Sequence, residues 1–193
     1  FGQDPIYKAI DERRIKTIGA QVQNIVELTK PLRKLNPKIR EMITTTNELG
    51  QTIRRPISEL QELTKAGGLP QEVLDNIDET YKIIDDLSDE YVRLGLLPAD
   101  IRKNLGEYLR NSFKEYETGK DILKGVKPPR IDTGSLKARK DLSDEVREQL
   151  GQIFDAGYLL PDTAVRMIRT VENAKFFDEV ALKFGKDAAE EGL

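Results

Sequence analysis

Apolar or tolerant positions in the first third of the chain advance in alternating steps of four and three, through Ile18, Val22, Ile25, Thr29, Leu32, Leu35, Ile39, Met42, Thr46, Leu49 and Ile53. This period, with one extra three-step from Leu32 to Leu35, predicts a coiled-coil-like helix with a local phase slip. Such a stripe needs a partner helix, in this chain or in another copy. Ile18, Val22, Ile25, Leu32, Leu35, Ile39, Met42, Leu49 and Ile53 are therefore the candidate oligomer seam. Asp4-Pro5 supplies an N-cap and a first helical residue, because proline lacks only an N–H that would be unpaired there. Pro31, Pro37 and Pro56 interrupt the stripe, and Asn36-Pro37 reads as a fresh N-cap and first turn. Thr44, Thr45, Thr46 and Gly50 weaken the helix further, being poor helix formers.

A short amphipathic helix follows from Pro56 to Lys65, ended by Gly67-Gly68, and Pro70 opens the next. Its stripe of Leu74, Ile77, Tyr81, Ile84, Leu87, Tyr91 and Leu94 is the clearest helical period in the chain. Its other face carries Glu72, Asp75, Asp78, Glu79, Asp85, Asp86, Asp89 and Glu90 against a single Lys82. The glycine pair is short enough to fold the two helices into an antiparallel hairpin. Gly95 closes the second, and Pro98 opens a further helix to about Tyr116, with Ile101, Leu105, Tyr108, Leu109 and Phe113 on its apolar side. Residues 118–142 lack a sustained period and hold Gly119, Gly125, Pro128, Pro129 and Gly134, which predicts an irregular strap. Ser143 caps a helix to about Phe154, and Pro161 starts the last helix, with Val165, Ile168, Val171, Phe176, Val180 and Phe184 as its stripe. No segment reads as a β-strand. The expected fold class is all-α: an elongated helical bundle with a coiled-coil-like N-terminal arm and an irregular basic strap. Its expected parts are a proline-interrupted arm (1–66), a hairpin and bundle (67–117), the strap (118–142) and C-terminal helices (143–193).

The apolar share of 38% against 34% charged residues means that these helices bury narrow stripes rather than whole faces. A net charge of -3 argues against a chain-wide nucleic-acid footprint and leaves only local patches. With neither cysteine nor histidine, disulfides, Ser-His-Asp and Cys-His nucleophile systems and the familiar zinc sites are excluded within this sequence. Neither GxxxxGK nor GxGxxG occurs, so the usual phosphate-cradling loops are missing. No apolar run approaches the ~18 to 20 residues that cross a bilayer. The first residue is Phe1 rather than Met, as expected of a fragment or a processed end.

Two charged clusters are candidates for chemistry. Asp85-Asp86-Leu87-Ser88-Asp89 is a DDxxD on a helix, a spacing that can hold magnesium against a diphosphate, but a second, facing acidic cluster is missing. A solvated acidic face is the simpler reading. The basic set Lys120, Lys124, Lys127, Arg130, Lys137, Arg139, Lys140 and Arg147 could touch nucleic-acid phosphates, or could lie against the acidic helix at 72–90. Within it, Lys127, Arg130, Lys137, Arg139, Lys140 and Arg147 form the candidate basic docking strap. Poor aromatic interleaving weakens a single-strand-binding reading. No catalytic residue, metal ligand or cofactor is expected.

The stretch YVRLGLL at 91–97 followed by NLGEYLR at 104–110 resembles a pattern in the large polyvalent proteins of bacteriophages. RKDLSDEVREQLGQI at 139–153 and NAKFFDEVA at 173–181 are similar to the segment that follows it there. The resemblance covers roughly 91–182 and implies a helical spacer of a large internal virion, or ejection, protein that is delivered with the genome. On that basis the expected function is structural, with self or other virion subunits as partners and the virion interior, then the host cell, as location. The alternative is a nucleic-acid-binding helical module using residues 120–147. A magnesium enzyme at Asp85, Asp86 and Asp89 is a distant third.

Overall fold

Asp4 accepts hydrogen bonds from the N–H groups of Ile6 (2.7 Å) and Tyr7 (3.2 Å) and so starts a long helix, α1 (Pro5–Arg33). The computed structural model describes residues 4–48, 50–97, 109 and 151–190, the last five as backbone only. After α1 come α2 (Pro37–Glu41), β1 (Thr44–Thr46), β2 (Thr52–Arg54), α3 (Ile57–Lys65), α4 (Gln71–Arg93) and α5 (Ala156–Glu190). The described part of the fold is mostly helical.

Three long helices share one core. α1 packs against both α5 and α4, and α4 also packs against α5. Arg33 meets Gly157, Arg14 meets Asn173 and Arg13 pairs with Glu179, so α1 and α5 run antiparallel. Ile25 and Leu32 of α1, Ile77 and Ile84 of α4, and Leu159, Leu160, Met167, Ile168 and Val171 of α5 are almost wholly withdrawn from water. Each such side chain contributes about 2 kcal/mol relative to an exposed one. Residues from the expected arm, hairpin and C-terminal part thus enter a single core.

The helix ends follow their local chemistry. Asn36 accepts from the Lys38 N–H at 3.0 Å and starts α2 on Pro37. α3 ends as Gly67 turns to φ 75° and the Gly68 N–H reaches back to the Leu63 carbonyl at 2.9 Å. Gly95 at φ 67° closes α4 in the same way, with the Leu96 N–H on the Tyr91 carbonyl at 2.9 Å. The α4 stripe is as expected: Leu74, Ile77, Tyr81, Ile84, Leu87 and Tyr91 are buried, and Leu94 is half-buried against the core.

Four expectations are corrected. First, the N-terminal stripe does not continue as helix to Ile53, because 44–54 form an antiparallel hairpin with Thr44 opposite Arg54, Thr45 opposite Ile53 and Thr46 opposite Thr52. β-branched threonines suit a pleated strand, and the loop closes on itself, with the Asn47 side chain accepting from the Gln51 N–H at 2.9 Å. Second, Pro31 lies inside α1 and does not end it. Third, α5 begins at Ala156, five residues before Pro161, and residues 151–154, expected to close the preceding helix, are not helical: Gly151 sits in a turn at φ 66°. Asp155 caps α5 by accepting from the Gly157 N–H at 2.8 Å. Pro161 lacks the N–H that would bond the Gly157 carbonyl, and Arg33 Nε donates to that oxygen at 3.3 Å instead. Fourth, Leu109 is buried and non-helical, its N–H donating to the Thr52 carbonyl at 3.0 Å rather than to a residue of its own turn.

Candidate interaction surfaces

The seam residues have different fates. Ile25 and Leu32 are buried in the core that α1 shares with α4 and α5, and Ile18, Val22, Leu35 and Ile39 are half-buried against it. Met42, just past α2, is 46% exposed, Ile53 lies half-buried in β2, and Leu49 lies outside the described residues. The most apolar part of the stripe is therefore occupied within the chain. All six residues of the basic docking strap, Lys127, Arg130, Lys137, Arg139, Lys140 and Arg147, lie outside the described residues, as do Lys120 and Lys124.

The DDxxD segment sits on α4, where the three carboxylates differ in setting. Arg54 Nη2 spans both oxygens of Asp85 at 2.8 and 3.0 Å, its Nη1 donates to the Tyr81 carbonyl at 3.2 Å, and its guanidinium lies 4.7 Å above the Tyr81 ring. Asp86 and Asp89 are exposed. Asp85 is thus committed to a cation from β2, and among the described residues no group of carboxylates converges as metal ligands would. Burial pushes the Tyr81 hydroxyl well above the ordinary phenol range, against the pull of Arg54 and Arg55, and that hydroxyl has no hydrogen-bond partner among the described residues. The rest of the acidic face faces water: Glu72, Asp75 and Glu79 are exposed, and Asp78 pairs with Lys82, whose ammonium it holds above the usual lysine range.

Where α4 stops, α1 and α5 continue. Glu90 meets Lys175 at 3.5 Å near the end of α4. Burial works against its charge, yet Arg93 and Lys175 hold its carboxyl below the usual carboxylate range. Beyond this level α1 and α5 are held by an aromatic and cationic cluster of their own. Tyr7 packs edge-on to Phe176 at 5.5 Å, Phe176 edge-on to Phe177 at 5.3 Å, and the Arg14 guanidinium lies 4.6 Å above the Phe176 ring while donating to Asn173 at 2.8 Å. Phe176 is buried in this cluster, but Phe177 is 64% exposed, Leu182 72% and Ile6 52%. Stripe spacing places Phe176 correctly, but the expectation that Phe177 is core beside it is corrected, because adjacent residues of a helix face different sides; Leu182 lies off the stripe.

Between α3 and α4 a shallow open depression is lined by Gln61, Thr64, Lys65, Gln71 and Leu74, a set with one titratable group and hence no acid–base pair. Among the described residues no helix is long and apolar enough to cross a membrane. No family model, curated protein or solved structure matches the chain.

Proposed function

We propose that this chain is a structural, non-enzymatic assembly component: a helical scaffold segment that packs against another copy of itself or a neighbouring protein. The observation that carries the reading is the end of the α1–α5 pair beyond the last turn of α4, where Phe177, Leu182 and Ile6 are exposed large apolar side chains among the described residues. Large apolar side chains gathered at one end of a helix pair favour packing with further helices. In this reading the molecule is an elongated bundle whose coiled-coil-like N-terminal arm supplies one side of the assembly surface. The resemblance at 91–182 extends it to a large phage protein, carried in the virion interior beside other virion subunits and delivered to the host cell with the genome.

Light scattering of the purified chain over a range of concentration and salt tests the reading. A defined oligomer that survives salt, and that the pair Phe177→Asp and Leu182→Asp returns to monomer with an unchanged helical circular-dichroism signal, is the expected result. A wild-type chain that is monomeric at every concentration, with a variant indistinguishable from it, refutes self-assembly through this end.

A further inference from the structure

A second surface stands out on charge rather than apolarity, at the elbow between α1 and α2. Between residues 27 and 41 the chain carries five cations, Lys30, Arg33, Lys34, Lys38 and Arg40, and two carboxylates, Glu27 and Glu41, although its net charge is -3. The structure fixes the two arginines. Arg40 Nη1 donates to the Arg33 carbonyl at 2.9 Å and its Nη2 pairs with Asp155 at 2.9 Å, while Arg33 Nε is spent on the Gly157 carbonyl. These bonds hold both guanidiniums against the first turn of α5 before any partner arrives. Side-chain entropy that a flexible arginine would lose on binding has thus already been given up in folding.

The remaining cations point outward. Lys30, Lys34 and Lys38 are exposed; Lys34 and Lys38 have no ion-pair partner among the described residues, and Lys30 has only a loose contact to Glu27 at 3.6 Å. Lys30 and Arg33 also suit the negative end of the α1 dipole. Lys34 is the C-cap of α1 and Lys38 lies in the short α2, and both leave their ammonium groups exposed. Leu35 and Ile39, each directly following one of these two lysines, are turned onto the core, so the elbow offers charge with little apolar anchorage. A protein partner would lack the buried anchor that normally supplies interface affinity, whereas a polyanion needs only the charges.

We propose that the α1–α2 elbow docks the phosphate backbone of nucleic acid, without base specificity, through Lys30, Lys34 and Lys38 around the fixed Arg33. The proposal does not depend on the assembly reading.

The test is fluorescence anisotropy of a labelled random-sequence DNA duplex against the full chain, titrated between about 50 and 200 mM salt, the range over which phosphate contacts register strongly. The triple variant Lys30→Gln, Lys34→Gln, Lys38→Gln changes only exposed side chains, and a thermal melt checks its fold. The expected outcome is wild-type binding that weakens with salt, and a variant whose log–log salt slope is smaller by about 2 to 3, roughly 0.9 per lost phosphate contact. A companion triple, Lys137→Gln, Arg139→Gln, Lys140→Gln, is expected to leave that elbow contribution in place. The proposal is overturned if the wild-type chain does not bind, if the elbow variant keeps the wild-type slope, or if polyglutamate binds the elbow more tightly than the duplex at equal charge, which would point to an acidic protein instead.

Discussion

Replacing Arg54 with Met is the most informative single perturbation of the described fold. The methionine keeps most of the stem's packing and deletes the guanidinium. Three contacts go with it: the bonds to Asp85 at 2.8 and 3.0 Å, the bond to the Tyr81 carbonyl at 3.2 Å, and the stacking over the Tyr81 ring at 4.7 Å. A charge-assisted hydrogen bond contributes about 1.5–3 kcal/mol and a neutral one about 1, while stacking adds about 0.5–1. These terms overlap on one group. Asp85 is also 40% exposed and recovers solvation once Arg54, itself 16% exposed, is gone. The expected loss is therefore about 2–3 kcal/mol, read as a lower urea midpoint at unchanged slope. Asp85→Asn should cost less, because the amide oxygen still accepts from Arg54. A double-mutant cycle should return a coupling of about 1–2 kcal/mol between the two residues. A cycle that closes with no coupling, or an Arg54→Met loss under about 0.5 kcal/mol, would refute the view that Asp85 serves the β2–α4 tie.

Tyr81→Phe removes a buried hydroxyl without a partner among the described residues and is expected to be neutral or stabilising by up to about 1 kcal/mol at neutral pH. Because the folded hydroxyl ionises above the unfolded one, the unfolded chain sheds its proton first. The wild type should therefore lose stability as pH rises past about 10, and the variant should show a smaller loss in the same denaturation series. Glu90, held low by Arg93 and Lys175, works in the other direction: its contribution is present above the unfolded glutamate range and fades as pH falls through the lower folded value, so Glu90→Gln should flatten the acid limb of the stability profile. Ile25→Ala, at a fully buried position, should cost about 3 kcal/mol in chemical denaturation while leaving the solution mass unchanged, since its partners lie in this chain; a changed mass would return the seam to an intermolecular role.

α4 was legible because local and global signals agree along it: an uninterrupted three-and-four stripe, a glycine at each end and a polar remainder. The caps at Asp4 and Asn36 were legible for the same reason, since their chemistry is local. The β-hairpin was hidden because apolar steps of three and four continue nominally through Met42, Thr46, Leu49 and Ile53 across a segment whose threonines favour strand. Pro161 misled for a different reason. A proline in sequence advertises a missing N–H, but not whether some distant donor takes over the carbonyl it abandons, and here that donor is Arg33, in another helix. Likewise, nothing near Asp85 in sequence shows that Arg54 neutralises it, so DDxxD stayed open as a metal motif until the β2–α4 contact was known.

The junction of α1, α2 and α5 shows how one compensation constrains its surroundings. Pro161 leaves the Gly157 carbonyl free, Arg33 fills it, and Arg40 then bridges Arg33 to Asp155, the residue that caps α5. This crowding makes a side chain at Gly157 a tight fit: a Cβ there would meet Arg40 Cδ at 3.0 Å and Asp155 Oδ1 at 3.1 Å, and both would have to give way. A flexible neighbour would move aside, and Gly157→Ala would then gain helix propensity, about 1 kcal/mol. Neither neighbour is free, because Arg40 is tied at two of its nitrogens and Asp155 holds both the arginine and the helix cap. Overpacking of about 1–3 kcal/mol should therefore exceed the propensity gain, for a net loss of about 1 kcal/mol in chemical denaturation. A stabilised Gly157→Ala chain would mean that the Arg40–Asp155 clamp yields easily, and the prior fixing of the elbow arginines would lose its physical basis.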